Sequence, residues 1–172
     1  MIDIHSHILP EIDDGSRDID ESVEMIGEAV EAGFDTIIST SQYMEDYYEA
    51  DVQRRTKLIK ILKDELKENN IEMDLELGSE IYITDNINNY LKEGKASTLA
   101  GSDYVLFEFP LNAKPQNMLD LVFEIQKGRK LPILAHPERY RFIQQDPEIL
   151  YDLIDRGVLM QTNYRKFCWK IW

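Results

Sequence analysis

From Met1 to Gln161, short apolar runs alternate with stretches of helical period, and this alternation restricts the fold more than any other feature of the chain. Met1–His5 reads as a short buried strand. Behind it, Asp18-x-x-Glu21 has the form of a capping box. Ile19, Val23, Ile26, Ala29 and Val30 follow at helical spacing, and Gly33 closes the run as a C′ glycine. Phe34–Thr40 is β-branched and strand-like. Val52–Asn69 predicts a helix with Leu58, Ile59, Ile61, Leu62 and Leu66 as its apolar stripe. Ile71–Leu77, Tyr104–Phe109, Leu131–Ala135 and Val158–Gln161 predict further strands. Helices at Ile87–Leu91, Leu119–Gln126 and Pro147–Asp155 lie between them. Regular strand–helix alternation points to an α/β protein with a parallel sheet.

The 172 residues suffice for one domain with a sizeable core. Apolar runs are too short to cross a bilayer, and the first residues lack a basic region and an apolar stretch, so neither membrane insertion nor a secretory signal is expected. A single cysteine, Cys168, fits a reducing, cytoplasmic setting. The net charge of −14 disfavours nucleic acid and anionic membrane as partners. An anionic substrate would need cations bound locally.

The polar residues at the strand ends narrow the function. His5 and His7 follow the first strand, Ser41-Gln42 the second and Glu80 the third. Glu108 ends the fourth, and His136 follows the fifth with Pro137-Glu138-Arg139-Tyr140 behind it. All three histidines of the chain fall in this set. Parallel strands bring such ends to one mouth. Imidazole and carboxylate together suit borderline divalent ions such as Mn²⁺, Zn²⁺ or Fe²⁺. Each residue also has a plain alternative: a core histidine, a solvated charge or a turn former. For Asp13, before Asp14-Gly15, the turn-former reading is preferred. Tyr43, Met44, Tyr47 and Tyr48 read as loop packing rather than a substrate rim. Glu108 stands in an otherwise apolar strand, where an unpaired carboxylate is costly.

The segments D-I-H-S-H, D-D-G, G-S-E-I-Y, L-F-E-F and A-H-P-E-R-Y, in this order from residue 1 to about 163, resemble the PHP-superfamily tyrosine-protein phosphatases of bacteria. These are manganese-dependent enzymes linked to capsular and exopolysaccharide synthesis. The resemblance implies a distorted β/α barrel and a trinuclear metal centre. It implies hydrolysis of phosphotyrosine, by a metal-activated hydroxide, on a partner bacterial tyrosine kinase. By position, His5 and His7 would bind the first ion, Glu80 would bridge two, Glu108 and His136 would complete the second site, and Asp14 would belong to the third. Arg139 would face the substrate phosphate. A histidinol-phosphate-phosphatase-like phosphoesterase, or an inactive metal- or kinase-binding remnant, remain alternatives.

The sequence departs from the family pattern twice. Gln42 stands where the family carries a histidine, which would weaken the third metal position. No Asp-x-His follows His136, so the chain is expected to be one incomplete domain lacking its last strand–helix units, with an aberrant basic and aromatic tail at 164–172. Shifting the tail by one base gives a glycine-punctuated run similar to the family's own, which suggests a frameshift; a naturally short chain is the alternative. Exposed sheet edge and apolar surface would then favour reduced stability or self-association.

Overall fold

The computed structural model describes residues 1–163, so the aberrant tail expected at 164–172 lies outside the described residues. The chain runs β1 (Ile2–Ser6), α1 (Ile19–Glu31), β2 (Thr36–Ser39), β3 (Gln42–Tyr43), α2 (Val52–Glu68), β4 (Asp74–Leu77), β5 (Glu80–Tyr82), α3 (Ile87–Lys92), β6 (Tyr104–Glu108), α4 (Met118–Lys127), β7 (Leu131–Ala135), α5 (Arg141–Gln145), α6 (Glu148–Asp155) and β8 (Leu159–Gln161). Among the described residues every strand pairing is parallel, in one sheet of order β1-β2-β4 and another of order β3-β5-β6-β7-β8. The expected α/β class with parallel strands is the one observed.

Two chain segments each contribute to both sheets. After β2 the backbone bends at Thr40-Ser41 and continues as β3; after β4 it bends at Gly78-Ser79 and continues as β5. Hydrogen bonds carry the ladder across these bends, from Thr40 N to Ser6 O at 2.8 Å and from Glu80 N to Thr40 O at 3.2 Å. Strand neighbours therefore follow chain order from β1 to β8, as short βα connections require. Neither β3 nor β5 was expected as a separate strand. Segments of two or three residues after a bend carry no readable period.

Helix ends follow local chemistry. Asp18 caps α1 by accepting from Glu21 N at 2.8 Å, whereas the Glu21 carboxylate accepts from Arg17 N at 2.7 Å instead of closing the box on the capping residue. Gly33, at φ +89°, supplies the left-handed turn after α1. The core stripe of α2 is Arg55, Ile59, Leu62 and Leu66. Ile61, expected within it, is 47% exposed. At 100° per residue it points away from the face that Ile59 and Leu66 share, and Arg55 takes the inward position. The predicted strand at Ile71–Leu77 shortens to Asp74–Leu77, because Ile71 N returns to Leu66 O at 2.9 Å and closes α2.

The apolar residues form two main cores. Ile26 of α1, Ile59, Leu62 and Leu66 of α2, and Ile37 and Leu75 pack together on the first sheet. Val122 and Ile125 of α4 pack with Ile81, Val105, Phe107, Leu134 and Leu153 against the second.

Candidate metal centre

The site lies where β1, β6, β7 and β8 end and where the chain bends between the sheets. His5 is near the end of β1 and His7 just beyond it. Glu108 is the last residue of β6, and His136 follows β7. Glu80 opens β5 rather than closing the strand before it, and pairs in register with Gln42 of β3. Residues up to 131 positions apart in the chain, from His5 to His136, thus meet with imidazole ring centroids 5.5 Å apart.

Glu80 is buried at the centre of this group. Its Oε2 lies 3.0 Å from His7 Nε2 and 3.2 Å from His5 Nε2. Its other oxygen, Oε1, lies 2.6 Å from His136 Nε2. Burial alone would raise the Glu80 pKa. The imidazoles of His136, His5 and His7 outweigh that and hold it well below the ordinary carboxylate range. Glu108 behaves oppositely. Burial and then the charge of Glu80 push it up to about 8, against the hydrogen bond donated by Gln42 Nε2. Burial disfavours a charged His7, but hydrogen bonds to Asp13, Asp14 and Glu80 raise it well above the usual histidine value.

The donor set fits divalent cations. Three groups of ligand atoms have all members within 4.8 Å: His5, His7 and Glu80; Glu80, Glu108 and His136; and His7, Asp13 and Asp14. In the first two, imidazole nitrogens and carboxylate oxygens converge in a buried place. Such a set of acceptors can be held either by shared protons or by a cation that displaces them. The two groups share Glu80 through different oxygens, as a bridging carboxylate would.

The third group is less complete. Asp13 has a fully buried carboxylate: Oδ1 accepts from Gly15 N at 3.0 Å, and Oδ2 accepts from Gln42 N at 2.8 Å and faces His7 Nδ1 at 3.2 Å. The turn-forming role expected of Asp13 is present, in the bond to Gly15, but the residue also holds His7. Asp14 also lies 3.3 Å from His7 Nδ1, with its side chain 65% exposed. Gln42, expected beside the third position, spends its amide N–H on Glu108 instead. Close packing fixes this loop. A Cβ on Gly15 would lie 2.2 Å from the His7 carbonyl oxygen, so only glycine fits.

Arg139 sits in a single 3₁₀ turn, Pro137–Arg139, directly after His136. Its side chain is exposed and has no ion-pair partner among the described residues. His136 itself adopts φ 35°, ψ 57°, a left-handed conformation uncommon outside glycine.

Two supporting residues were not signalled by the sequence. The buried Arg55 guanidinium lies under the β4–β5 bend, bonded to Gly78 O, to Ser79 Oγ at 2.6 Å and to Ser97 Oγ at 3.2 Å. Burial lowers its pKa to about 10, with Asp51 and Asp13 opposing the fall. Gln161, at the end of β8, places Oε1 2.7 Å from His5 Nδ1. In the sequence Arg55 is one of two adjacent arginines near the start of a helix and Gln161 a glutamine at a strand end, and nothing local marks either as buried support.

Comparison with known proteins shows what the whole chain is similar to. The family model for capsular polysaccharide synthesis proteins CpsB/CapC matches residues 1–167. CapC of Staphylococcus aureus is 36% identical over 167 residues, covering 95% of this chain and 64% of that protein. The tyrosine-protein phosphatase YwqE of Bacillus subtilis is 34% identical over the same share of each chain. A chain from the crystal structures of YwqE from Bacillus subtilis and CpsB from Streptococcus pneumoniae, metal-dependent tyrosine phosphatases, superposes with a TM-score of 0.89 at 34% identity, covering 94% of this chain and 66% of that one. The chain spans just under two thirds of the length of these relatives.

Proposed function

The chain belongs to the CpsB/CapC family of capsular polysaccharide synthesis proteins, and we propose on that premise that it is a metal-dependent phosphotyrosine-protein phosphatase. The observation that carries this reading is the division of the Glu80 carboxylate between His7 and His136, which gives two adjacent cation positions one shared ligand. His5, His7 and Glu80 would hold the first ion, and Glu80, Glu108 and His136 the second. Asp14, largely exposed and paired only with His7, would serve a weaker third position, where Gln42 is a poorer ligand than imidazole. Manganese is the metal that the resemblance implies and that this mixed donor set accepts.

Divalent ions in these positions supply positive charge for a phosphate group and a water acidic enough to attack it at neutral pH. The protein residues do the rest. Glu80 spaces the two positions. Asp13 orients His7 through Nδ1 and leaves Nε2 turned to Glu80. Arg139, exposed close behind His136 and without an ion-pair partner among the described residues, would meet phosphate oxygens with its planar guanidinium. Cation binding also offsets the −14 chain charge that would otherwise repel a phosphorylated protein. By this reading the substrate is a phosphotyrosine on a bacterial tyrosine kinase in the cytoplasm. Among the described residues no helix is long and apolar enough to cross a membrane.

The test is hydrolysis of a phosphotyrosine peptide by the purified chain with and without Mn²⁺, with histidinol phosphate as a second substrate and His136→Ala as control. Manganese-dependent release from the peptide, lost in His136→Ala, supports the reading. Preference for histidinol phosphate would move the chain to the small-molecule phosphoesterases. Turnover that is indifferent to metal and to His136 would end the metal mechanism.

A further inference from the structure

We propose that Gln161 is a positioning residue that sets the tautomer of His5 and so prepares Nε2 of that ring for a cation. The inference rests on the metal-centre reading above for its purpose, though not for its geometry. Gln161 Oε1 has two neighbours. One is the backbone N–H of His136, at 3.3 Å. The other is His5 Nδ1, at 2.7 Å. A backbone N–H can only donate, so the side-chain atom facing it is the amide oxygen. That oxygen can only accept, so the proton between it and His5 belongs to Nδ1. The amide nitrogen agrees with this orientation, because it donates to Asn163 Oδ1 at 3.0 Å.

With Nδ1 committed as the donor to Gln161, Nε2 is the nitrogen left to take a cation in exchange for any proton it shares with Glu80. That nitrogen faces Glu80 Oε2 at 3.2 Å and His7 Nε2 at 3.4 Å, inside the first ligand group. A histidine that binds metal through one nitrogen is usually oriented by a hydrogen bond from the other. His7 has such a partner in Asp13; Gln161 is the equivalent for His5. The contact also spans the molecule. It joins β1, an outer strand of one sheet, to β8, an outer strand of the other, across 156 residues. Because the same oxygen holds His136 N, one side chain ties a ligand of the first cation position to the backbone of a ligand of the second.

Two readouts test this on the full chain. In the metal-free protein, long-range ¹H–¹⁵N NMR under mildly alkaline conditions reports which nitrogen of neutral His5 bears hydrogen. Calorimetry with Mn²⁺ alone reports affinity. We expect Nδ1–H in the parent chain and in Gln161→Glu, which keeps an acceptor. We expect loss of that preference in Gln161→Leu, with Mn²⁺ binding weakened about 10–100-fold. If the parent chain shows Nε2–H, or if Gln161→Leu changes neither tautomer nor affinity, the proposal is overturned. If Gln161→Leu does not fold, the parent tautomer and a Gln161→Met variant decide. A chain with the expected tautomer that binds no Mn²⁺ would sink the metal reading and leave the positioning role standing. Normal Mn²⁺ binding with the opposite tautomer would do the reverse.

Discussion

Glu80 Oε1 lies 2.6 Å from His136 Nε2, although 56 residues separate them and neither has a charged neighbour in sequence closer than Glu138. The same carboxylate turns Oε2 to His7 at 3.0 Å. One buried side chain therefore organises both halves of the site, and removing its charge is expected to disable both. Glu80→Gln keeps the volume and the fold but should weaken Mn²⁺ binding and phosphotyrosine hydrolysis each by at least about 100-fold. Calorimetry and peptide turnover check this. Loss confined to one bound ion would argue against a shared ligand.

The raised Glu108 and His7 give the stability of the metal-free chain a defined pH dependence. Glu108 is raised to about 8, and His7 is raised well above its usual value, so the folded chain binds protons that the unfolded chain releases. For Glu108 this stabilisation is complete below its unfolded value of 4.5 and is lost as pH rises through about 8. That of His7 begins to fall above 6.5. Glu80, whose pKa is lowered, contributes in the opposite sense and loses its share below 4.5. The Tm of the metal-free chain should therefore fall as pH rises from about 4.5, most steeply between about 6.5 and 8 where both groups contribute. Glu108→Gln should flatten the slope. Saturating Mn²⁺ should reverse it, since cations displace those protons. Differential scanning calorimetry in chelator and in Mn²⁺ measures all three.

Asp13 and Asp14 are neighbours with different tasks. Asp13→Ala strands Gly15 N, Gln42 N and His7 Nδ1, and is expected to cost about 2–4 kcal/mol of stability. Asp14→Ala removes a largely exposed group and should stay within about 0.5 kcal/mol. It should nonetheless lower the number of Mn²⁺ ions bound at high concentration. Urea unfolding and metal titration separate the two effects.

Arg55 supports the bend from which Glu80 emerges. Arg55→Leu leaves Gly78 O, Ser79 Oγ and Ser97 Oγ without the guanidinium and should destabilise the chain by about 3 kcal/mol. Arg55→Lys should recover only part of this, because one ammonium cannot reproduce the planar fork. Urea melts give the comparison.

Arg139→Ala should raise KM for a phosphotyrosine peptide about tenfold or more while leaving Mn²⁺ affinity unchanged. Steady-state kinetics beside metal titration checks the split. An equal loss of metal affinity would place Arg139 in the metal cluster's support rather than against the substrate.

How much of this was legible in the sequence depends on what each residue interrupts. His5, Glu108 and His136 stand out because each ends or follows an apolar strand, and parallel strands force such ends together. Glu80 was visible as a polar residue after a strand, yet its place at the head of β5 was not, since the bend at Gly78-Ser79 leaves a strand too short to show alternation. Ile61 turns outward and Arg55 inward because hydrophobicity is a weaker guide than angular position on α2. Asp13 and Gln161 look like a turn residue and a strand residue respectively. Their partners, His7 with Gln42 and His5 with His136, are set by tertiary approach that no local pattern encodes.

Glu80, with its oxygens divided between His7 and His136, is proposed to join two cation positions. Electron paramagnetic resonance of the chain titrated with Mn²⁺ tests it most directly, because two ions bridged by one carboxylate are magnetically coupled and isolated ions are not. We predict a coupled dimanganese signal in the parent chain that is absent from Glu80→Gln. An uncoupled six-line Mn²⁺ spectrum at saturation, or no bound manganese at all, would contradict the account.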